Sequence, residues 1–281
     1  MKMDRNLIII TSTLIAVLAV IASGTGLLWP DLYKDGSQFL RAEATGQDLV
    51  TLALCVPMLL ASGYYAARGT LRGRLAWTGA VFYFLYSYAT YTFMAPYNQF
   101  FLVYVALFSL SLYTFSASLL TIDLAQIKNS LSGKTPVKTI ACFAIVMPSV
   151  MAVIWLYMIV GSLLTGSPPE RLGSSTTLIV QALDLGVLLP FSALTGILLL
   201  RGNPWGYALA PVVLVKIILL GVAVLSMIVF TAISGVPHGI GETIFMIILT
   251  AGGLALGVAF YASLCNAPDQ GNYKRETVSS G

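Results

Sequence analysis

Eight stretches of about twenty mostly apolar residues, the length a helix needs to cross the hydrocarbon core of a bilayer, follow one another along the chain. They run at roughly Leu7 to Leu28, Leu49 to Ala67, Leu75 to Ala95, Phe100 to Ile122, Thr139 to Leu164, Thr177 to Leu200, Trp205 to Ile233 and Thr243 to Cys265. In lipid every backbone N–H and C=O must be satisfied within the structure, so such runs are helices and not open strands. Charged residues make up 9% of the 281-residue chain and apolar ones 58%, against about 25% charge in an ordinary soluble domain. A water-soluble globular protein is excluded. The expected fold is an all-α polytopic membrane helix bundle of eight transmembrane helices.

The cations between the runs set an orientation. With the N-terminus inside, eleven Lys and Arg fall on the cytoplasmic side, among them Arg5, Arg68, Arg72, Arg74, Lys128, Lys138 and Arg201, and only Lys34, Arg41 and Arg171 fall opposite. That bias follows the positive-inside rule. It predicts a multi-pass protein of the cytoplasmic membrane with both termini cytoplasmic. Lys2 and Arg5 ahead of the first run also fit a cleaved signal peptide, which would leave seven spans; the length of the run favours a retained span.

Two four-helix halves are suggested by self-comparison. Gln47-Asp48, Pro57 and Arg68-Gly69 in the second span are echoed by Gln181, Asp184, Pro190 and Arg201-Gly202 in the sixth. Pro57 to Pro190 and Arg68 to Arg201 share one offset, 133 residues. Phe115-x-Ala117-Ser118-Leu119 recurs as Phe260-x-Ala262-Ser263-Leu264. The third and seventh spans show no convincing match. The expected plan is a first half over 1–123, a cytoplasmic linker over 124–138, a second half over 139–265 and a disordered cytoplasmic tail over 266–281, a parallel 4+4 repeat of the kind transporters use. Pro57, Pro148, Pro190 and Pro211 lie within spans, where they act as ordinary kinks or as opened backbone beside a cavity.

Charge inside the spans is the main functional flag. Lys216 lies eleven residues beyond Trp205, about 16 Å in at 1.5 Å per residue and so near the midplane. Asp184 lies seventeen residues before Arg201, about 25 Å from the same boundary. Tilt and the lysine stem can close most of that difference, directly or through a bridging tyrosine or water. Gln181, one turn from Asp184, and Tyr83, Tyr86 and Thr90, spaced along one helix face, are the expected partners of a substrate or proton site. Asp48 and Glu242 are expected to face water as an outer, cation-attracting rim. Tyr88, Tyr91, Phe93, Tyr97, Phe100 and Phe101 are read as an interfacial aromatic belt, and Asn98 as a turn former.

Other chemistry is sparsely represented. Three separated cysteines and one histidine, His238, offer no metal-binding cluster. No phosphate-cradling, dinucleotide or nucleophile-elbow motif lies in a soluble segment. No metal and no cofactor are expected. The dispersed basic residues point to membrane topology and not to nucleic acid. The expected partners are the lipid bilayer and a small molecule or ion; no oligomeric state follows from the sequence.

Gly46-Gln47-Asp48-Leu49, Arg68-Gly69, Trp77-x-Gly79, Tyr83-x-x-Tyr86-x-Tyr88 and Asn98, with Asp184, Pro190, Trp205-Gly206-Tyr207 and Lys216, resemble a family of prokaryotic polytopic integral membrane proteins to which no activity is attached. The resemblance implies the multi-pass class and no mechanism. The function expected is a small-solute or proton-coupled transporter with a midplane Lys/Asp site. The alternatives are an accessory or sensory membrane protein in which the pair is structural, and a membrane enzyme or chromophore binder using Lys216 as a nucleophile or Schiff-base amine.

Overall fold

The computed structural model describes residues 3–34, 36–132, 135–169, 172, 175–236 and 239–264. His238, Cys265, Lys134, Arg171 and the tail 266–281 lie outside them. The described residues form an all-helical bundle: α1 (Arg5–Leu28), α2 (Gln38–Ala67), α3 (Leu71–Met94), α4 (Phe101–Leu120), the short α5 (Leu124–Asn129), α6 (Val137–Thr165), α7 (Ile179–Leu200), α8 (Pro204–Ile233) and α9 (Ile240–Ser263). A single 3-10 turn, Pro30–Tyr33, joins α1 to α2.

Seven of these helices are long and apolar enough to cross a membrane, consistent with a membrane-embedded protein. The remaining long helix, α3, is not among them. Its sequence is rich in Tyr, Thr and Ser, and it sits at the centre, packed on α2, α4 and α8. Trp77, Tyr83 and Phe84 are wholly buried there. A helix enclosed by other helices meets little lipid and is free to carry polar side chains. The peripheral helices show the reverse pattern, with Val17 of α1, Val153 and Leu163 of α6 and Val258 of α9 all exposed. Large apolar groups on the outside are what a lipid-facing surface requires.

Helices α3 and α8 approach closely beside Lys216. A Cβ on Gly79 would come within 2.6 Å of Val215 Cβ and 2.8 Å of the Val212 carbonyl oxygen, so only glycine fits this crossing. Helix α1 is tied to α3 by the Trp77 indole N–H, which donates to Ser12 Oγ at 2.7 Å. The linker region docks through Ile127 of α5, fully buried against α8.

Both α2 and α7 widen into a π turn, at Thr51–Cys55 and Asp184–Leu188. The cause is local. Pro57 and Pro190 lack an N–H and their rings crowd the preceding turn, so Val56 N–H reaches back to the Thr51 carbonyl and Leu189 N–H to that of Asp184. The two turns stand 133 residues apart. So do the glycines that close the helices in left-handed backbone, Gly69 (φ 79°) and Gly202 (φ 64°), and the N-caps Thr70 and Asn203. The shared offset therefore runs on into α3 and α8, where sequence comparison found no match.

The stretch 29–48 between the first two expected spans is helical from Gln38, and α2 runs unbroken through Asp48. Ser37 caps it by accepting from Leu40 N–H at 3.2 Å.

Candidate functional site

The π turn of α7 delivers Asp184 into the bundle, where it is 6% exposed. Its carboxylate receives two aromatic donors. Tyr86 of α3 donates its hydroxyl to Oδ1 at 2.6 Å, and Trp155 of α6 donates its indole N–H to Oδ2 at 2.9 Å. Lys216 of α8 is completely buried, its Nζ 4.1 Å from the centroid of the Tyr86 ring and 5.9 Å from that of Phe82. Tyr86 thus touches both charges, offering its π face to the ammonium and its hydroxyl to the carboxylate. Among the described residues, Lys216 Nζ finds no hydrogen-bond acceptor.

Lys216 is among the residues that line a cavity of about 200 Å³, together with Tyr86, Asp184 and Trp155. Its sides are apolar, formed by Met147, Met151, Leu188, Leu220, Val224 and Phe245. It extends along α8 from Lys216 to Met227, about 16 Å at 1.5 Å per residue. Leu40, Glu43, Met94 and Glu242 line it where α2 begins, α3 ends and α9 begins, so its shallow end faces one end of the bundle. Pro148 of α6, also on the wall, frees the carbonyl of Ala144 four residues earlier. Ser192 of α7 donates to that oxygen at 3.1 Å, so this proline is compensated by a neighbouring helix.

The expected partners separate. Tyr86 and Thr90 line the cavity, but Tyr83 does not; its hydroxyl pairs with Thr51 at 2.9 Å on the π turn of α2. Three residues of helix turn it by about 60° from Tyr86, enough to face a different neighbour. Gln181 is buried on α7 without lining the cavity. Glu242 does line the shallow end.

Asp48 departs from its expected place on a water-facing rim. It is 2% exposed: helix α2 begins ten residues before it, at Gln38, so the carboxylate lies within the bundle. Tyr33 donates to its Oδ2 at 2.8 Å and Tyr91 to its Oδ1 at 3.0 Å. A Cβ on Gly26 would meet that Oδ2 at 2.0 Å, so the glycine makes room for the carboxylate. Burial, then the charge of Asp48, pushes the Tyr33 phenol well above its ordinary range, and it remains a proton donor at neutral pH. Tyr88 and Tyr91 are likewise buried, stacking near Tyr104. Of the expected interfacial belt, Phe93, Tyr97 and Phe101 are exposed. Asn98 is a turn former, accepting from Phe100 N–H at 2.9 Å.

Trp155, Tyr33 and Tyr91 were not anticipated as carboxylate partners. The available signal was Trp155 itself, an indole N–H well inside a long apolar helix that needed an acceptor. No family model, no curated protein and no solved structure matches this chain.

Proposed function

We propose that the chain is an eight-span protein of the cytoplasmic membrane that binds a small solute between two four-helix halves and moves it with proton exchange at a site formed by Lys216 and Asp184. One observation carries this reading: the fully buried Lys216 is among the residues lining a cavity, and its amine has no acceptor among the described residues. A buried ammonium is costly, at least about 2.5–3.5 kcal/mol on insertion scales. A structural ion pair would be expected to satisfy it, whereas a binding site leaves that valence to the ligand.

The division into halves over 1–123 and 139–265 is supported by the 133-residue offset shared by the π turns, prolines, glycine turns and N-caps. The central position of α3 supports counting it as the eighth span despite its polarity. Under the positive-inside rule the cavity's shallow end faces away from the cytoplasm. Asp184 and Tyr86 hold the exchangeable proton, and Lys216 meets the solute.

The test is proton flux in proteoliposomes driven by an imposed pH gradient with candidate solutes. The wild type should show solute-dependent flux and Lys216→Met should lose it. Equal flux in the two proteins would remove Lys216 from the mechanism.

A further inference from the structure

The ligand class follows from what the site offers and what it already satisfies. Both oxygens of Asp184 accept hydrogen bonds from protein donors, whereas Lys216 presents an ammonium with no acceptor among the described residues. The group that complements it is an anion that accepts hydrogen bonds. The walls beyond are apolar, so the rest of the ligand is hydrocarbon. An apolar cavity of about 150 Å³ takes benzene, and this one measures about 200 Å³, room for a single ring or short chain bearing one acid group.

Charge sets a further condition. Lys216 and Asp184 together are neutral, so a bare carboxylate would leave one uncompensated negative charge in a low-dielectric pocket. That difficulty vanishes if the solute enters with its own proton.

Resting on the transport reading above, we infer that the cavity takes small monocarboxylic acids of about the size of benzoic acid, each entering as the neutral acid and held as a carboxylate on Lys216 with its proton on Asp184. The acid O–H bond breaks, its electron pair stays on the ligand oxygen, and the proton moves to a carboxylate oxygen of Asp184. Lys216 keeps its charge throughout. Tyr86 accommodates the change because its hydroxyl can both donate and accept: it accepts from the protonated Asp184 and turns its own hydrogen to the ligand.

The experiment is titration calorimetry of the purified full chain with benzoate, benzamide and benzylamine, in buffers of different ionisation enthalpy. Benzoate should bind with uptake of one proton per molecule and weaken about tenfold for each pH unit raised above 6. Benzamide should bind at least tenfold more weakly, and benzylamine not at all. Lys216→Met should lose benzoate binding at least a hundredfold while remaining folded and monodisperse. Asp184→Asn should still bind benzoate, now without proton uptake. Equal binding of benzoate and benzamide, preference for benzylamine, absence of proton uptake in the wild type, or retention in Lys216→Met would each overturn the inference. If Lys216-dependent flux persists while benzoate fails to bind, the ligand class is wrong and the transport reading stands. If flux is the same in Lys216→Met, the transport reading itself falls.

Discussion

Thr51 and Tyr83 in the first part of the chain occupy the same relative positions as Asp184 and Lys216 in the second, each 133 residues apart. The first pair is neutral and closed, its hydroxyls 2.9 Å from one another with Tyr83 wholly buried. The second is charged, its members both contact Tyr86, and among the described residues Lys216 Nζ lacks an acceptor. The same helix geometry, a π turn opposite a central helix, thus holds a finished hydrogen bond on one side and an open valence on the other. Asp48 sharpens the contrast: it too is a buried carboxylate with two aromatic donors, but both donors are tyrosines of its own cluster. Burial of a carboxylate is therefore not what marks the site; the unsatisfied cation next to space is.

The largest effect is expected at the closed carboxylate. Asp48→Ala leaves the Tyr33 and Tyr91 hydroxyls buried without their acceptor, at about 1–3 kcal/mol each, and should lower the melting temperature in detergent sharply. A small change there would mean that Asp48 does not organise its tyrosines. Removing both charges should act in the opposite direction. Lys216→Met combined with Asp184→Asn replaces a buried charged pair with neutral side chains and should be neutral or stabilising by about 1–4 kcal/mol, while flux is lost. Marked destabilisation by the double change would make the pair structural and erase the contrast between the two regions.

Tyr86→Phe keeps the ring under Lys216 and removes the hydroxyl from Asp184. Solute affinity should fall about tenfold, equivalent to about 1.4 kcal/mol, with the remaining cation–π contact still worth about 0.5–2 kcal/mol. Tyr86→Leu, lacking both, should be weaker still; equal affinities in the two variants would rule out the ring as a contributor. The smallest effect belongs to the closed neutral pair. Tyr83→Phe should cost about 1 kcal/mol of stability and leave flux unchanged, and a transport defect there would show that the first pair is also part of the machinery.

Much of this organisation is written plainly in the sequence. Hydropathy marks seven of the long helices, because a bilayer demands length and apolarity of a lipid-facing span, and the rarity of charge singles out Lys216 and Asp184. Tyr86 follows from helical spacing. What the sequence hides is direction and company. Tyr83 and Tyr86 look equivalent in a periodic pattern, yet a 60° rotation sends one to Thr51 and the other to Asp184. Trp155 sits 29 residues from its acceptor on another helix, a pairing that only tertiary packing creates. Asp48 was misplaced because the polar stretch before it resembles a loop, although Ser37 caps a helix there that carries the carboxylate away from water.

The central claim is that Lys216 faces a cavity reached from one end of the bundle. Lys216→Cys, in a background where Cys55, Cys142 and Cys265 are replaced by Ser or Ala, tests it directly through labelling by a small charged methanethiosulfonate applied to either side of sealed proteoliposomes. The account predicts labelling from the side of Glu43 and Glu242, slowed by benzoate, and none from the side of Arg68 and Arg201. No labelling from either side, with Tyr97→Cys labelled as the exposed control, would contradict it.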